Sequence, residues 1–398
     1  MKVYDAAAIR NAALVGHTAS GKTQLISAIL ADAGMINRFG KVDEGTTVTD
    51  FDEEEIARKH TLSASLAYAE WNKHKINLID TPGIGNFLSD ARAGLQVADA
   101  ALVAVDAVAG VMVQTEKGWA AAAELGLPRL VVLNRLDRDR ASLDRSLKSL
   151  REACHRSVVP IQLPIGEERG FTGVVDLVSR KAYTYQTDAS GRFSEGPVPA
   201  GLTAAVEAGR EALIEMVAEA DERLMERFFE AGTLTDEELL VGLRAATAAA
   251  RVFPLVCTSG LLNIGAAQLL DAIVAYLPSP AERPFKGLDR NGQELIRRAD
   301  EKAPAAAFVW KTIADPFAGR ITMFRVVSGT LKSDSTVHNK TKDAPERLGH
   351  LELLQGKTPT PVAEIKAGDL GAVAKLKDTL TNDTLGDKSD PIVFPPLT

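Results

Sequence analysis

Short apolar runs alternate with amphipathic helical patterns along the first two thirds of the chain. Helical patterns at residues 22–30 and 114–124 separate runs that are rich in Val, Ile, Leu and Ala and too short to be helices. The runs occupy residues 12–15, 76–79, 101–105 and 130–133. This alternation predicts a mostly parallel, doubly wound α/β sheet. All four runs end in polar or Gly-rich residues, and ligands bind such sheets at the carboxyl ends of the strands.

An insert interrupts this pattern. Strand-like pieces lead into a helical block over residues 202–250, where Thr235 and Glu238 match a capping box. A buried apolar run and an amphipathic helix then restore the first pattern. We therefore expect a first domain over residues 1–280 that carries an α+β insert near residues 158–253.

A second domain is predicted after a proline-rich linker that includes Pro278, Pro280 and Pro284. Residues 303–394 hold short alternating segments divided by Gly, Asp and Asn turns. Such spacing is typical of a small antiparallel β-barrel, which we expect over residues 281–398.

The composition of the chain argues against some classes of function. The 398 residues are 45% hydrophobic and 25% charged, which is enough for two or three well-packed domains. The net charge of -7 argues against a broad basic surface for duplex DNA, and 5% aromatic residues argue against base stacking along single strands. The two cysteines indicate a reduced, cytoplasmic protein. Because no signal peptide and no uncharged apolar segment of 18 residues is found, no membrane association is expected.

The first strand-to-helix loop satisfies the pattern G-x-x-x-x-G-K-[ST] in the context that this motif requires. Its residues are Gly16, His17, Thr18, Ala19, Ser20, Gly21, Lys22 and Thr23. Glycines let backbone N–H groups surround phosphates at a helix N-terminus, Lys22 neutralises the β and γ oxygens, and the Thr23 hydroxyl ligates Mg²⁺. The alternative is a chance Gly-rich turn. The motif makes the first domain a P-loop nucleotide-binding domain.

Two further loops complete the predicted nucleotide site. Asp80 ends the second run, where its carboxylate suits the Mg²⁺ shell, and the Gly83 N–H suits the γ-phosphate. Asn134, Arg135 and Asp137 follow the fourth run, and a carboxylate there accepts hydrogen bonds from guanine N1 and N2 but finds no such pair on adenine. On its own, this last segment would be equally compatible with a charged loop. Ser259 and Gly260, after the last strand, are predicted to complete the base pocket.

With these motifs the chain resembles the translational GTPases, and most closely elongation factor G and the elongation factor G-like proteins. The resemblance spans essentially the whole chain. Its further segments are the switch I stretch at residues 43–61, the insert onset at 162–166, residues 276–280, and two second-domain segments at 315–320 and 367–372.

The resemblance implies a GTPase that uses GTP or GDP with Mg²⁺ and acts as a monomer on ribosomal RNA and ribosomal proteins during translation elongation. It assigns Thr61 to the switch I threonine, whose hydroxyl binds Mg²⁺ and which is ordered only with GTP. An exposed threonine that enters a strand is the alternative. Lys22, Thr61 and Gly83 are thus the predicted catalytic residues, and Thr23, Thr61 and Asp80 the predicted metal ligands. The acidic run at residues 50–55 is compatible with a solvated mobile loop.

The sequence departs from the family pattern at three positions. Ile84 stands where elongation factor G places the histidine that orients the attacking water, so hydrolysis is expected to be weak. Asn86 and His60 are the alternatives for that role. Ala19 replaces a common aspartate of the phosphate loop, and Arg135 replaces the usual lysine of the base-reading segment.

Two other functions remain open at this point. One is a GTP-gated module that binds the ribosome without hydrolysis, and the other is a ribosome-protection or release factor 3-like GTPase, since these share the two-domain core. Family members continue into three further domains beyond the second. We therefore expect this sequence to be the N-terminal portion of a longer protein or an engineered fragment.

Overall fold

The computed structural model describes residues 2–396, so the predicted domain limits at residues 1 and 398 lie outside the described residues. The first eleven strands are β1 (Ile9–Gly16), β2 (Ser65–Trp71), β3 (His74–Asp80), β4 (Ala100–Asp106), β5 (Arg129–Asn134), β6 (Val158–Pro160), β7 (Gln162–Ile165), β8 (Gly173–Asp176), β9 (Ala182–Tyr185), β10 (Phe193–Gly196) and β11 (Phe253–Cys257). The helices are α1 (Lys22–Asp32), α2 (Glu53–Arg58), α3 (Leu88–Val97), α4 (Val113–Glu124), α5 (Leu143–Ala153), α6 (Thr203–Glu219), α7 (Glu222–Ala231), α8 (Asp236–Ala248) and α9 (Ala266–Tyr276).

A seven-stranded sheet forms the centre of the first part, in the order β2-β3-β1-β4-β5-β11-β6. Its pairs are parallel except β2 with β3, so the predicted fold class is confirmed. Strand β1 is buried along its whole length because helices cover both faces of the sheet. The register sets Leu14 beside Asp80 and Asp106 beside Asn134, which brings the carboxyl ends of these strands to one edge.

The insert region contains a second, four-stranded antiparallel sheet in the order β10-β9-β8-β7, followed by α6, α7 and α8. The predicted capping box at the start of α8 is confirmed. Thr235 Oγ1 accepts from the Glu238 N–H at 3.1 Å, and the Glu238 carboxylate accepts from the Thr235 N–H at 3.0 Å. Strand β6, which falls inside the predicted insert range, is one of the two edge strands of the large sheet.

The second part is built from antiparallel strands. They are β12 (Phe285–Leu288), β13 (Glu294–Arg297), β14 (Ala306–Asp315), β15 (Gly319–Ser328), β16 (Thr330–Lys332), β17 (Thr336–Asn339), β18 (Ala344–Arg347), β19 (Leu351–Gln355), β20 (Thr358–Val362), β21 (Glu364–Lys366), β22 (Leu370–Ala374) and β23 (Thr384–Gly386). Eight of them form one sheet, in the order β18-β17-β23-β14-β15-β22-β19-β20. We call the part of the chain that holds strands β12 to β23 the barrel. Its interior is apolar and contains Phe324, Val326 and Leu351.

Buried charges join the barrel to the large sheet. Lys75 Nζ on β3 lies 2.9 Å from both carboxylate oxygens of Asp369, and Asn77 Nδ2 donates to the same carboxylate at 2.8 Å. Arg325 on β15 forms a fully buried ion pair with Asp99 at 3.0 Å. These contacts fix the barrel against the sheet edge, since unpairing a buried charge is costly.

A second contact between the two parts lies beside the switch I segment. Lys311 on β14 donates to the Ala64 carbonyl at 2.7 Å, to Asp90 Oδ2 on α3 at 2.8 Å, and to the Ser63 hydroxyl. The Ala64 N–H also donates to Asp90 Oδ2. One barrel side chain therefore holds both the end of switch I and the start of α3.

The acidic run at residues 50–55 is not uniformly solvated, contrary to one expectation. Asp50 and Glu55 are each 4% exposed, and residues 53–58 form α2. Glu55 Oε1 accepts from the Leu62 and Ser63 N–H groups, which explains why this carboxylate is buried.

Candidate functional site

A cavity of about 220 Å³ opens at the carboxyl edge of the large sheet. Ten of the predicted site residues line it: Thr18, Ala19, Gly21, Lys22, Thr23, Thr61, Gly83, Asn134, Arg135 and Asp137. The other predicted residues, Gly16, His17, Ser20, Asp80, Ile84, Ser259 and Gly260, belong to the strand ends and loops that carry these lining residues. The predicted set is thus brought together by separate segments of the chain.

The phosphate loop between β1 and α1 holds a conformation that few side chains allow. Gly21 has a φ of 88°, and a Cβ on Gly16 would lie 2.5 Å from the Ala104 carbonyl oxygen. Ala19 has a φ of 62°, which is strained for alanine. The loop precedes α1, so its N–H groups gather at a helix N-terminus, where anions bind.

Lys22 is the cation of this loop. Its Nζ donates to the carbonyls of Gly16 and His17, both at 3.1 Å. Burial lowers the pKa of Lys22 to about 8, and the nearby carboxylates of Asp80 and Asp50 oppose this shift. A buried ammonium group satisfied only by carbonyl oxygens is well suited to receive an anion. Two further groups here, His17 Nδ1 and Ser20 Oγ, are buried without hydrogen-bond partners in residues 2–396.

Oxygen ligands converge next to Lys22. Thr23 Oγ1 lies 2.7 Å from Asp80 Oδ2 and 2.9 Å from Thr61 Oγ1, and Thr61 Oγ1 donates to Asp50 Oδ1 at 2.8 Å. Asp80 Oδ1 is buried and finds no hydrogen-bond partner within the described part of the chain. An all-oxygen donor set with a free carboxylate oxygen fits Mg²⁺, which prefers a few carboxylate or hydroxyl ligands together with water and phosphate oxygens.

The two carboxylates at this point are electrostatically strained. Burial and the neighbouring Asp80 raise the pKa of Asp50 to about 7, and burial raises the pKa of Asp80. A divalent cation would relieve the charge repulsion between them. Across residues 2–396 no cluster of three or more His, Cys, Asp or Glu suits a metal ion.

Sequence reasoning missed two residues of this cluster. Asp50 accepts from Thr61, and Thr49 Oγ1 donates to Asp80 Oδ2 at 2.7 Å. Asp50 begins an acidic run in which Asp52, Glu53 and Glu54 are exposed, so the composition of the run gave no sign that Asp50 is buried. The signal that remained was the preceding pair of β-branched residues, Val48 and Thr49, which are unusual beside a solvated acidic loop.

The opposite end of the cavity is organised by Asn134. Its Nδ2 donates to the Ser20 carbonyl at 2.9 Å, and its Oδ1 accepts from the Gly260 N–H and from Thr258 Oγ1, both at 3.0 Å. Asn134 therefore ties the phosphate loop to the loop after β11. Its side-chain hydrogen bonds in the structure go to these loops.

Arg135 and Asp137 face the cavity from the same loop. Arg135 adopts a φ of 66°, and its guanidinium lies 3.5 Å from Asp106. Asp137 Oδ1 is buried without a hydrogen-bond partner in the described residues, which leaves an acceptor for a ligand. A carboxylate in that position is complementary to the adjacent N1 and N2 donors of guanine.

The loop after β11 contributes mainly its backbone. Ser259 pairs with Ile264 through both backbone groups, and its hydroxyl accepts from the Leu262 N–H at 3.2 Å. The Gly260 backbone packs so closely on α1 that a Cβ would lie 3.0 Å from Leu25. Leu261, which was not predicted, lines the cavity instead of Ser259.

Gly83 and Ile84 lie at the phosphate end. The Gly83 carbonyl accepts from the Thr18 N–H at 3.0 Å, and a Cβ on Gly83 would lie 2.6 Å from Lys22 Nζ. Ile84 is half-buried and offers no polar side-chain atom, and Asn86 is exposed outside the lining of the cavity. His60, the other alternative from the sequence, does line it.

Comparison with known proteins gives two matches along the chain. Residues 7–279 match the elongation factor Tu GTP binding domain, and residues 304–388 match elongation factor G domain 2. A crystal structure of a protein from Thermus thermophilus is similar over 97% of this chain, with 35% sequence identity and a TM-score of 0.85. The match covers 55% of that protein, so this chain spans about half of its length. Among the helices of residues 2–396, none combines the length and apolar character needed to cross a bilayer.

Proposed function

Because the chain belongs to the translational GTPases that carry the elongation factor Tu GTP binding domain, we propose that it is an elongation factor G-like nucleotide switch with weak GTP hydrolysis. In this proposal it binds GTP and GDP with Mg²⁺ and acts on the ribosome in the cytoplasm. The nucleotide domain covers residues 1–280, with its insert near 158–253, and the barrel covers residues 281–398.

One observation carries the nucleotide assignment. Buried carboxylate oxygens without hydrogen-bond partners in residues 2–396 belong to Asp80, which contacts the cavity-lining Thr23, and to Asp137, which lines the cavity beside Arg135. The first suits a hydrated cation and the second suits guanine, with Lys22 between them for the phosphates. A complex of a guanine nucleotide with Mg²⁺ supplies the cation, the base and the phosphates together.

The roles of the residues follow from this arrangement. Thr23, Thr61 and Asp80 would hold Mg²⁺, which neutralises charge on the phosphate oxygens when it is bound. Lys22 and the loop N–H groups bind the phosphates, and the Gly83 N–H faces the γ-phosphate position. Asn134 holds the loops, while Arg135 lies beside the base and Asp137 reads it.

Competition binding tests the proposal. A fluorescent GDP analogue should be displaced by GTP and GDP but not by ADP, and removal of Mg²⁺ with EDTA should weaken GTP binding. Equal displacement by ADP would reject the guanine assignment.

A second function, a GTP-gated ribosome-binding module without hydrolysis, is favoured by Ile84, which cannot hydrogen-bond a water molecule. Phosphate release measured with and without ribosomes separates the two. Tight GTP binding with no release under either condition would support the binding module and reject the GTPase.

A further inference from the structure

The phosphate end of the cavity contains an imidazole that none of the assigned roles uses. His60 Nδ1 lies 3.4 Å from Thr18 Oγ1, across the phosphate loop. The Thr18 N–H in turn donates to the Gly83 carbonyl, and Gly83 lies against Lys22 Nζ. His60 is therefore next to the groups that surround the γ-phosphate position.

The backbone around His60 is built to place it there. Helix α2 is capped by Lys59, which adopts a left-handed φ of 56° and turns the chain toward the phosphate loop. The His60 N–H donates to the Glu55 carbonyl at 3.2 Å, and the buried Glu55 carboxylate holds the two residues after Thr61. Both flanks of His60 are thus fixed by Glu55.

Most other polar side chains at this end are already engaged. Lys22 Nζ is bound to two carbonyls, Thr61 to Thr23 and Asp50, and Lys59 Nζ to Asp43 at 3.2 Å. Of the two ring nitrogens of His60, only Nδ1 makes a hydrogen bond to residues 2–396. Nε2 is left for a ligand or a water molecule. An imidazole nitrogen either donates or accepts a hydrogen bond, which is what an attacking water requires and what Ile84 cannot provide.

We propose that His60 orients the attacking water for GTP hydrolysis, in place of a residue at position 84. The proposal rests on the nucleotide-binding function proposed above. The water oxygen forms a bond to the γ-phosphorus while the bond from that phosphorus to the β–γ bridging oxygen breaks, and its electron pair leaves with GDP. Both protons of the water end on the phosphate, so GTP⁴⁻ and H₂O give GDP³⁻ and H₂PO₄⁻. His60 holds the water in line and gains no net proton.

Single-turnover hydrolysis and nucleotide affinity, measured on the same variants, test this role. His60→Ala should lower the hydrolysis rate at least about tenfold, while the Kd values for GDP and a non-hydrolysable GTP analogue stay within about twofold. His60→Gln, which keeps a donor and an acceptor, should retain more activity than His60→Ala. In the His60→Ala background, Ile84→His should restore hydrolysis.

A control and a second readout separate this role from a structural one. His74 lies at the start of β3, the end of the strand opposite Asp80, and His74→Ala should leave the rate unchanged. The ³¹P NMR signal of the γ-phosphate in the bound analogue should shift in His60→Ala and not in His74→Ala.

Four results would overturn the proposal. An unchanged rate in His60→Ala would do so, as would equal losses in the Ala and Gln variants together with a loss of analogue affinity. Wild-type protein that binds GTP but releases no phosphate would reject the role of His60 and leave nucleotide binding intact. Wild-type protein that binds no guanine nucleotide would reject both proposals.

Discussion

At the scale of single residues, Asp137 has a carboxylate oxygen for which the proposed ligand would supply the hydrogen-bond partner. Its buried Oδ1 has no hydrogen bond to the described residues. Asp137→Asn replaces an acceptor with a donor at this point, so GTP affinity should fall at least about 100-fold and xanthosine triphosphate should become the better ligand. Competition binding with both nucleotides measures the change.

The matched control is Asp139→Asn. Asp139 belongs to the same loop, but its side chain is 73% exposed and forms an ion pair with the exposed Arg169 at 3.6 Å. Removing the charge of Asp139 should leave the preference for guanine over xanthine unchanged. A guanine preference that persists in Asp137→Asn would contradict the assignment of the base end.

A second residue, Asp32 at the end of α1, predicts a pH dependence of stability. Asp32 accepts from Asn263 Nδ2 at 2.7 Å, its Oδ2 is buried without a partner in residues 2–396, and burial raises its pKa to about 7. The folded state therefore binds the proton more tightly than the unfolded state. Because of this difference, the free energy of unfolding decreases as the pH rises from about 4 to 7.

Asp32→Asn removes that titration. The variant should be more stable than the wild type at pH 8, by about 1–2 kcal/mol after allowance for partial exposure, and no more stable at pH 4. Urea unfolding at both pH values measures the difference. A gain of equal size at both pH values would show that the charge of Asp32 is not its cause.

Individual site residues were predictable where a sequence motif fixes both the residue types and their spacing. The phosphate loop and Asp80 follow strands with a fixed pattern, and the structure brings Lys22, Thr23 and Asp80 together. Asp50 was not predictable, because its burial depends on Thr61, eleven positions away, and on the fold of switch I.

At the scale of elements, Lys311 links strand β14 to the end of switch I and to α3. In the structure Thr61 lies against Thr23, which is the arrangement that Mg²⁺ and GTP would favour. Lys311→Met removes the cation from Asp90 and loosens this arrangement. Affinity for a GTP analogue relative to GDP should fall about five- to tenfold, the lower range of typical coupling between sites.

Equilibrium binding of both nucleotides to Lys311→Met gives this ratio. Lys302→Met, which changes an exposed lysine of the same part of the chain, is the control and should leave it unchanged. If the affinities for both nucleotides fall equally in Lys311→Met, the contact of Lys311 with Asp90 is structural and does not sense the γ-phosphate.

The elements themselves were largely predictable, with one informative exception. The four predicted strands of the large sheet are buried apolar runs, and each lies within an observed strand. Strand β2 was not predicted, although it pairs with β3 along its full length. It is an antiparallel edge strand with Ala, Ser and Glu among its residues, and its pairing depends on β3 more than on its own pattern.

At the scale of the whole molecule, the ion pair between Lys75 and Asp369 holds the two parts together. Asp369→Ala would leave Lys75, only 2% exposed at its side chain, without a counter-charge. The variant should lose about 3–5 kcal/mol of stability, and its two parts should unfold in two separate transitions. Calorimetry distinguishes these outcomes.

Asp5→Ala serves as the control for this prediction. Asp5 also pairs with a barrel lysine, Lys366, at 3.4 Å, but its side chain is 80% exposed. Its removal should leave the transition unchanged. The double variant Lys75→Met with Asp369→Leu should recover much of the loss, and failure to recover would contradict an electrostatic cause.

The order of the two parts was predictable from the change in hydrophobic pattern, but their interface was not. Lys75 and Asp369 are 294 positions apart, and although Asp369 lies in the family-like segment at residues 367–372, no pattern in the sequence pairs it with Lys75. Buried charges of this kind are indistinguishable from solvated ones until the partner is known.

The contact of Lys311 with switch I and α3 also has a thermodynamic consequence. Coupling between two binding sites is reciprocal, so whatever GTP does to the barrel, a molecule on the barrel does to GTP by the same factor. A partner that binds only the arrangement in which Lys311 reaches Asp90 would raise the affinity for GTP, and one that draws the lysine away would lower it. The affinity for GTP is then open to control from a surface that never contacts the nucleotide.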